Sequence, residues 1–238
     1  MPETGEWPLA QKLARERDTL GYFLSGHPMD PYHEDLVKLV GHDLSALEVL
    51  WERGAHGFRQ NEGRNRRPSV HTHVAGQVMA IRKRSETETA VQLEDGRGRV
   101  ECTFIDEAWT QYAPLLTRDR ILVVEGGLRE DSFNEGYALR ASHCWDFSQL
   151  CKGHAQRVAI RIDLRQPQSL KGLERILAGH AGTTPVLIEA MTNAGIGRLR
   201  LDAGHGLCMD ESLPAILRDL PGVDKVSLHF TRPWADAG

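Results

Sequence analysis

VAGQVMAIRKR, Val74–Arg84, opens the run of strand signals that decides the fold. It is long for one strand, and Gly76 sits where a long barrel strand has to bend. Thr89–Glu94 and Arg99–Ile105 follow, joined by Asp95-Gly96-Arg97-Gly98. Asp-Gly between two alternating runs signals a hairpin, because a tight turn needs a residue tolerant of positive φ. In the third run Val100, Cys102 and Phe104 fall on one face and Glu101 and Thr103 on the other. Asp106 then reads as the cap of a short helix, with Ala108, Trp109, Tyr112 and Leu116 at helical spacing. Ile121–Leu128 and Tyr137–Trp145 are the fourth and fifth strands. Three strands, a helix and two strands is the order of the OB-fold, a five-stranded Greek-key barrel.

Working outward, residues 1–54 read as a helical segment. Trp7-Pro8 suits a helix start, and Leu9, Leu13, Leu20 and Leu24 form one apolar stripe. Gly26-His27-Pro28 stops that helix, and Asp30-Pro31 restarts it as cap and first residue. Tyr32, Leu36, Leu39 and Val40 give a second stripe, and Asp43 caps a third helix carrying Leu44, Leu47 and Trp51. Residues 55–70 read as a basic linker, a solvated loop in which Arg59, Arg64, Arg66 and Arg67 face only Glu62. The barrel takes 71–148, a second linker 149–156, and a C-terminal α/β domain 157–238. Within that domain the strands are Arg157–Leu164, Pro185–Ala190, Gly197–Asp202 and Lys225–Phe230, and the helices Gln168–Ala178 and Glu211–Leu220. This is a βαββαβ, ferredoxin-like order, so the chain as a whole is α+β. The tail Thr231–Gly238 is expected to fray.

The chain has 238 residues, of which 40% are hydrophobic and 26% charged, as in a soluble globular protein. A formal net charge of −4 argues against a strongly basic, non-specific nucleic-acid binder. No apolar run approaches the roughly 20 residues that span a bilayer. Glu3, Glu6 and Lys12 interrupt any signal-peptide pattern, so no membrane is expected and a cytoplasmic location is. Cys102, Cys144, Cys151 and Cys208 show no C-x-x-C spacing and read as buried thiols. His71 and His73 share a strand face but lack further ligands, so they read as surface residues and no metal site is expected.

No nucleotide-binding, nucleophile-elbow or metalloprotease motif is present, and no catalytic residue is assigned. OB barrels bind through the face of strands two and three and the flanking loops. Arg82, Lys83 and Arg84 lead into the first of those loops, Arg97 and Arg99 flank the hairpin, and Arg129 and Phe133 adjoin the loop after strand four. The outward positions of strands two and three are Gln92, Glu94, Glu101 and Thr103, neither basic nor aromatic. Glu86, Glu88, Glu130 and Asp131 dilute the loops further. Single-strand binding is therefore expected to be weak and loop-borne. The terminal domain shows no basic stripe and reads as a protein-docking unit, with Leu213, Leu217, Val226, Leu228 and Phe230 as its contact surface. Alternation assigns at least half of these to the core.

LGYFLSGHPMDPY, Leu20–Tyr32, resembles the L-G-x-x-x-[ST]-G-H-P-x-x-x-Y segment that precedes the OB domain in bacterial replicative family C polymerases, the DNA polymerase III α subunits. The resemblance continues through VAGQVMAIRKR, LEDGRGRVECTFID and RDRILVVEGGLRED, and extends weakly into the C-terminal domain. It implies the C-terminal part of a far longer polymerase, whose catalytic carboxylates, magnesium and main clamp-binding peptide lie in other regions. It further implies an OB domain near the single-stranded template and a last domain docking the clamp-loader τ subunit. Two alternatives stand beside it: the matching part of a damage-tolerant family C polymerase, and a free-standing OB-fold single-strand-binding protein. The second would call for a basic, aromatic barrel face.

Overall fold

The computed structural model describes residues 15–16, 19, 26–58, 68–131, 136–210 and 212–235, with the side chains of 56–58, 167–169 and 203 excepted. The stripe from Trp7 to Leu24 and the basic residues Arg59, Arg64, Arg66 and Arg67 lie outside that set or at its margin. The first complete helix is α1, His33–Val40, which buries Leu36 and Leu39 and ends at Gly41, where φ is 101°. Asp30 is not its cap: the chain turns through residues 28–32, and the Asp30 carboxylate accepts from the His27 amide at 2.7 Å. Asp43 does cap as expected, accepting the Ser45 amide at 3.1 Å over a 3-10 turn, Leu44–Ala46. That turn runs directly into α2, Leu47–Phe58, so the first four residues of the expected linker are helical.

Five strands then close a barrel: β1 Val70–Lys83, β2 Glu88–Glu94, β3 Arg99–Ile105, β4 Ile121–Asp131 and β5 Gly136–Asp146. Their order is β1-β2-β3-β5-β4, with β3 and β5 paired in parallel and every other pair antiparallel. Val78, Val91, Leu93, Cys102, Phe104, Leu122 and Leu139 fill the interior at no measurable exposure. Leu44, Leu47 and Trp51 from the 3-10 turn and α2 join the same cluster. Gly76 is required less by a bend than by contact: a Cβ there would lie 2.9 Å from the Glu94 carbonyl oxygen. The helix between β3 and β4, α3, spans Glu107–Tyr112, but Asp106 makes no side-chain cap and sits at φ 52°. Its amide donates to the Thr87 carbonyl at 2.8 Å, which sets the chain direction there instead.

Where the second linker was expected lies a helix, α4, Phe147–His154. Asp146 accepts the Ser148 amide at 2.8 Å, and Phe147, Leu150 and Cys151 are buried. The helix leads without a gap into β6, Ala155–Asp163. Then come α5 Pro167–Gly179, β7 Ala181–Gly182, β8 Val186–Thr192, β9 Gly195–Arg200, β10 Gly206–Leu207, α6 Leu213–Arg218 and β11 Val223–Phe230. The main sheet has the order β11-β6-β8-β9, and β7 and β10 form a small ribbon. The βαββαβ element order holds, but β6 and β8 are direct parallel neighbours. The βαβ unit is therefore not split by a strand between them, as it is in ferredoxin-like sheets.

One apolar cluster crosses from barrel to sheet. It contains Ala75, Ile121 and Val123 from the outer barrel wall, Phe147, Leu150 and Cys151 from α4, and Val158, Ile160, Ile162, Val226 and Leu228 from the sheet. Leu213 and Leu217, both fully buried, close it from α6. Leu213, Leu217, Val226 and Leu228 are thus core residues rather than a docking surface: alternation turns Val226 and Leu228 inward, and the four-residue spacing of Leu213 and Leu217 puts both on the inner face of α6. Phe230 is half-buried and packs on Phe147 with ring centroids 5.8 Å apart.

The tail is also seated rather than frayed as far as residue 235. The Thr231 amide donates to the His154 carbonyl at 2.9 Å, and Trp234 stacks on His73 at 4.1 Å between ring centroids. His73 is therefore mostly covered, while its neighbour His71 is exposed and meets Glu125 at 2.8 Å. Burial lowers the His73 pKa, against the pull of Glu125, which raises it. Among the cysteines Cys102, Cys144 and Cys151 are buried and Cys208 is exposed, contrary to expectation for the last. Desolvation pushes the Cys144 thiol up to about 12, so it stays protonated at neutral pH.

Candidate nucleic-acid interface

A shallow cleft of about 300 Å³ lies on the outer face of β1–β3, against the start of β5. Its lining includes Arg82, Gln92, Arg99, Glu101, Asp131 and Tyr137. Strand alternation builds it: with Val100, Cys102 and Phe104 turned inward, Arg99, Glu101 and Thr103 must point out. Register then sets Gln92 opposite Glu101 and Glu94 opposite Arg99.

Asp95 fixes the hairpin below the cleft. Its carboxylate accepts the amides of Arg97 and Gly98 at 2.8 Å each, and the Leu44 amide at 2.8 Å from the N-terminal segment. The carboxylate is 5% exposed, so three backbone donors replace its lost water. One residue thereby closes the β2–β3 turn and locks the helical segment to the barrel. Arg97 stands exposed at the tip.

The candidate residues do not form one patch. Arg82 and Arg99 line the cleft, while Lys83 is exposed and lies outside its lining. Arg84 is exposed but committed: its guanidinium bonds Glu101 and lies 3.3 Å from Glu88. Arg129 is half-buried on β4, opposite Ala138, and lies outside the lining. Phe133 lies outside the described residues.

Tyr137 opens the fifth strand, and chain order alone gives no sign that its ring reaches this cleft. It supplies the aromatic surface that the β2 and β3 positions lack, half-buried at the cleft wall. Trp51 of α2 backs it at 6.3 Å between ring centroids and donates to Glu130 at 3.0 Å. Burial, with help from the carboxylates of Glu48, Glu130 and Glu52, raises the Tyr137 pKa, so the phenol stays neutral and able to donate. Arg140, exposed and opposite Thr103 in the β3–β5 register, is a second cation that chain order did not suggest.

Inside the cleft two guanidinium groups face two carboxylates, Glu101 and Asp131. Such a site attracts phosphates feebly and offers one ring for stacking, worth about 1–3 kcal/mol per base. Among the described residues no group of three or more His, Cys, Asp or Glu is arranged to hold a metal ion, and no helix is long and apolar enough to cross a membrane.

Residues 72–146 match the tRNA anti-codon family, described as an OB-fold nucleic acid binding domain. Over 98% of its length the chain is 43% identical to the DNA polymerase III subunit alpha of Xylella fastidiosa strain Temecula1, covering 20% of that protein. It is 32% identical over 94% of its length to the subunit of the same name in Vibrio cholerae, and 30% identical over 94% to that of Escherichia coli K12, covering 19% of each. The chain spans about one fifth of the length of the curated relatives it matches.

Proposed function

We infer that this chain, homologous over nearly its whole length to DNA polymerase III α subunits, is a non-catalytic part of a replicative polymerase. The carrying observation is 43% identity along 98% of the chain, helical segment, barrel and terminal sheet included. In this reading the barrel holds single-stranded DNA weakly near the template entrance, through Arg82, Arg99 and Tyr137, with Lys83 and Arg97 as outlying cations. The terminal unit docks the clamp-loader τ subunit. Sliding-clamp contact, magnesium and nucleotidyl transfer in the DNA-directed DNA polymerase belong to regions outside this sequence. The assembly works in the cytoplasm.

The balanced charge of the cleft supports weak rather than tight binding. Anisotropy of a labelled oligothymidylate, titrated with the chain at several salt concentrations, tests the DNA contact. Binding that weakens with salt is the expected outcome, and no binding at low salt removes it. Co-purification with τ tests docking, and a clean failure of both arms would leave the reading without support. Primer extension by the pure chain would overturn the non-catalytic assignment.

A further inference from the structure

The two edges of the terminal sheet are treated differently. On β11, Asp35 accepts the Leu228 amide at 2.9 Å and Arg218 donates to the Val226 carbonyl at 3.2 Å, so side chains satisfy the outer backbone groups. On β9 all six residues are exposed. The Leu201 amide donates to the Val186 carbonyl at 3.0 Å, which fixes the alternation along the hairpin. By that alternation Gly197 and Leu199 turn their backbone groups toward β8, and Ile196, Arg198 and Arg200 turn theirs to the open edge. A bare edge of this kind is normally blunted or covered.

Side chains beside that edge have a definite chemistry. Ile196 and Leu199 are 61% and 57% exposed, the largest values among the exposed large hydrophobic residues described. Arg198 and Arg200 lie on the sheet face that also carries Arg157 and Arg161. Glu189 there is shared between Arg161 at 2.9 Å and Arg198 at 3.1 Å, and Asp224 lies 3.8 Å from Arg161, which leaves Arg157 and Arg200 without a carboxylate partner among the described residues. Leu199 is on the opposite face, in register with Ile188.

We propose that β9 is a docking strand that takes an extended segment of a partner protein by strand addition, with acidic side chains facing Arg198 and Arg200 and apolar ones facing Leu199. Pairing supplies main-chain hydrogen bonds and alternation supplies selectivity. A second copy of this chain is disfavoured, since two β9 strands would set arginines against arginines. A nucleic acid has no use for the outward amides and carbonyls as a ladder, and the two shallow depressions around Arg157, Arg161, Arg198 and Arg200 are lined by no Phe, Tyr or Trp. The proposal rests on the docking reading of this unit, but its test does not use τ, so the two fail separately.

The test uses the whole chain, isotopically labelled, and an eight-residue peptide alternating Glu and Val. NMR titration is expected to shift the amides of Ile196, Arg198 and Arg200 and to slow their hydrogen exchange. A Lys–Val peptide should bind at least tenfold more weakly, and the folded double variant Arg198→Glu, Arg200→Glu should invert that preference. Shifts confined to other strands, equal binding of the two peptides, or displacement of the peptide by oligothymidylate at the same amides would each overturn the assignment.

Discussion

The barrel face and the terminal sheet face use the same residue types and arrive at different charge. On the barrel, register brings Arg84 to Glu88 and Glu101, and the cleft holds acids and bases in equal number. On the sheet, Arg157 and Arg161 share one side of β6, and the β8–β9 register sets Arg198 and Arg200 beside Glu189 and Leu187. Cations accumulate there because alternation and pairing act together, not because the segment is rich in them. A net charge of −4 for the whole chain conceals both outcomes.

The sharpest way to break the comparison is to show that the two faces belong to separately stable units. Phe147 is fully buried where barrel wall, α4 and sheet meet. Phe147→Ala should cost about 3–5 kcal/mol through lost contact and an unfilled cavity. Urea unfolding followed by tryptophan fluorescence and by far-UV circular dichroism should remain a single, earlier transition. Two separated transitions would show that the barrel and the sheet do not share a core.

The next largest effect distinguishes the two sheet edges. Asp35 is 1% exposed and bonded to Arg218 at 2.7 Å as well as to the Leu228 amide. Asp35→Ala should cost about 3 kcal/mol, since it strands a partly buried guanidinium and an edge amide. Burial raises the Asp35 pKa, so the charge itself is held at a cost and Asp35→Asn should be milder. Leu199→Ser on the open edge should stay within about 0.5 kcal/mol. Equal losses in thermal unfolding would mean that β9 is as built-in as β11.

Much of the barrel was legible in the sequence, because each of its signals was local. The Asp95-Gly96 turn, the alternation around Cys102 and the helix after Ile105 each fall within a few residues. What failed was long-range. Asp30, Asp106 and the run after Asp146 could not be read locally, since the cap of a helix depends on where the chain comes from. His73 is covered rather than exposed because Trp234, far along the chain, stacks on it, and Cys208 is exposed although its apolar neighbours suggested burial. Of the site, Arg82 and Arg99 were visible, but Tyr137 and the pairing that consumes Arg84 needed the β1-β2-β3-β5 arrangement. The basic stripe on the terminal sheet needs the pairing for the same reason: Arg157 and Arg161 on β6 meet Arg198 and Arg200 on β9 only across β8.

A smaller effect follows from the covered histidine at the seam. Burial sets the His73 pKa below the ordinary 6.5, as it does for His27 and His229. The unfolded chain then binds more protons between the folded-state pKa and 6.5, so stability is full above 6.5 and is lost as pH falls below 6.5 and through the folded-state pKa. His73→Phe keeps a ring for Trp234 and removes the titration. The slope of unfolding free energy against pH just below 6.5 should fall by up to about 1.4 kcal/mol per pH unit, with His27 and His229 supplying the rest. An unchanged slope would show that His73 titrates alike in both states.

The smallest effect separates two arginines two residues apart on the barrel. Arg82 lines the cleft, whereas Arg84 spends its charge on Glu88 and Glu101. If DNA lies along the cleft, each lost phosphate contact reduces the magnitude of the salt slope by about 0.7 for a single strand. Arg82→Ala should show that reduction and Arg99→Ala should match it, while Arg84→Ala should leave the slope unchanged. Tyr137→Leu should weaken binding about equally at every salt concentration, because stacking releases no counterions. Should Arg84→Ala flatten the slope as much as Arg82→Ala, DNA competes successfully for the paired guanidinium. The barrel face would then be as open to phosphates as the terminal sheet, and the contrast between them would be one of partner chemistry rather than of charge.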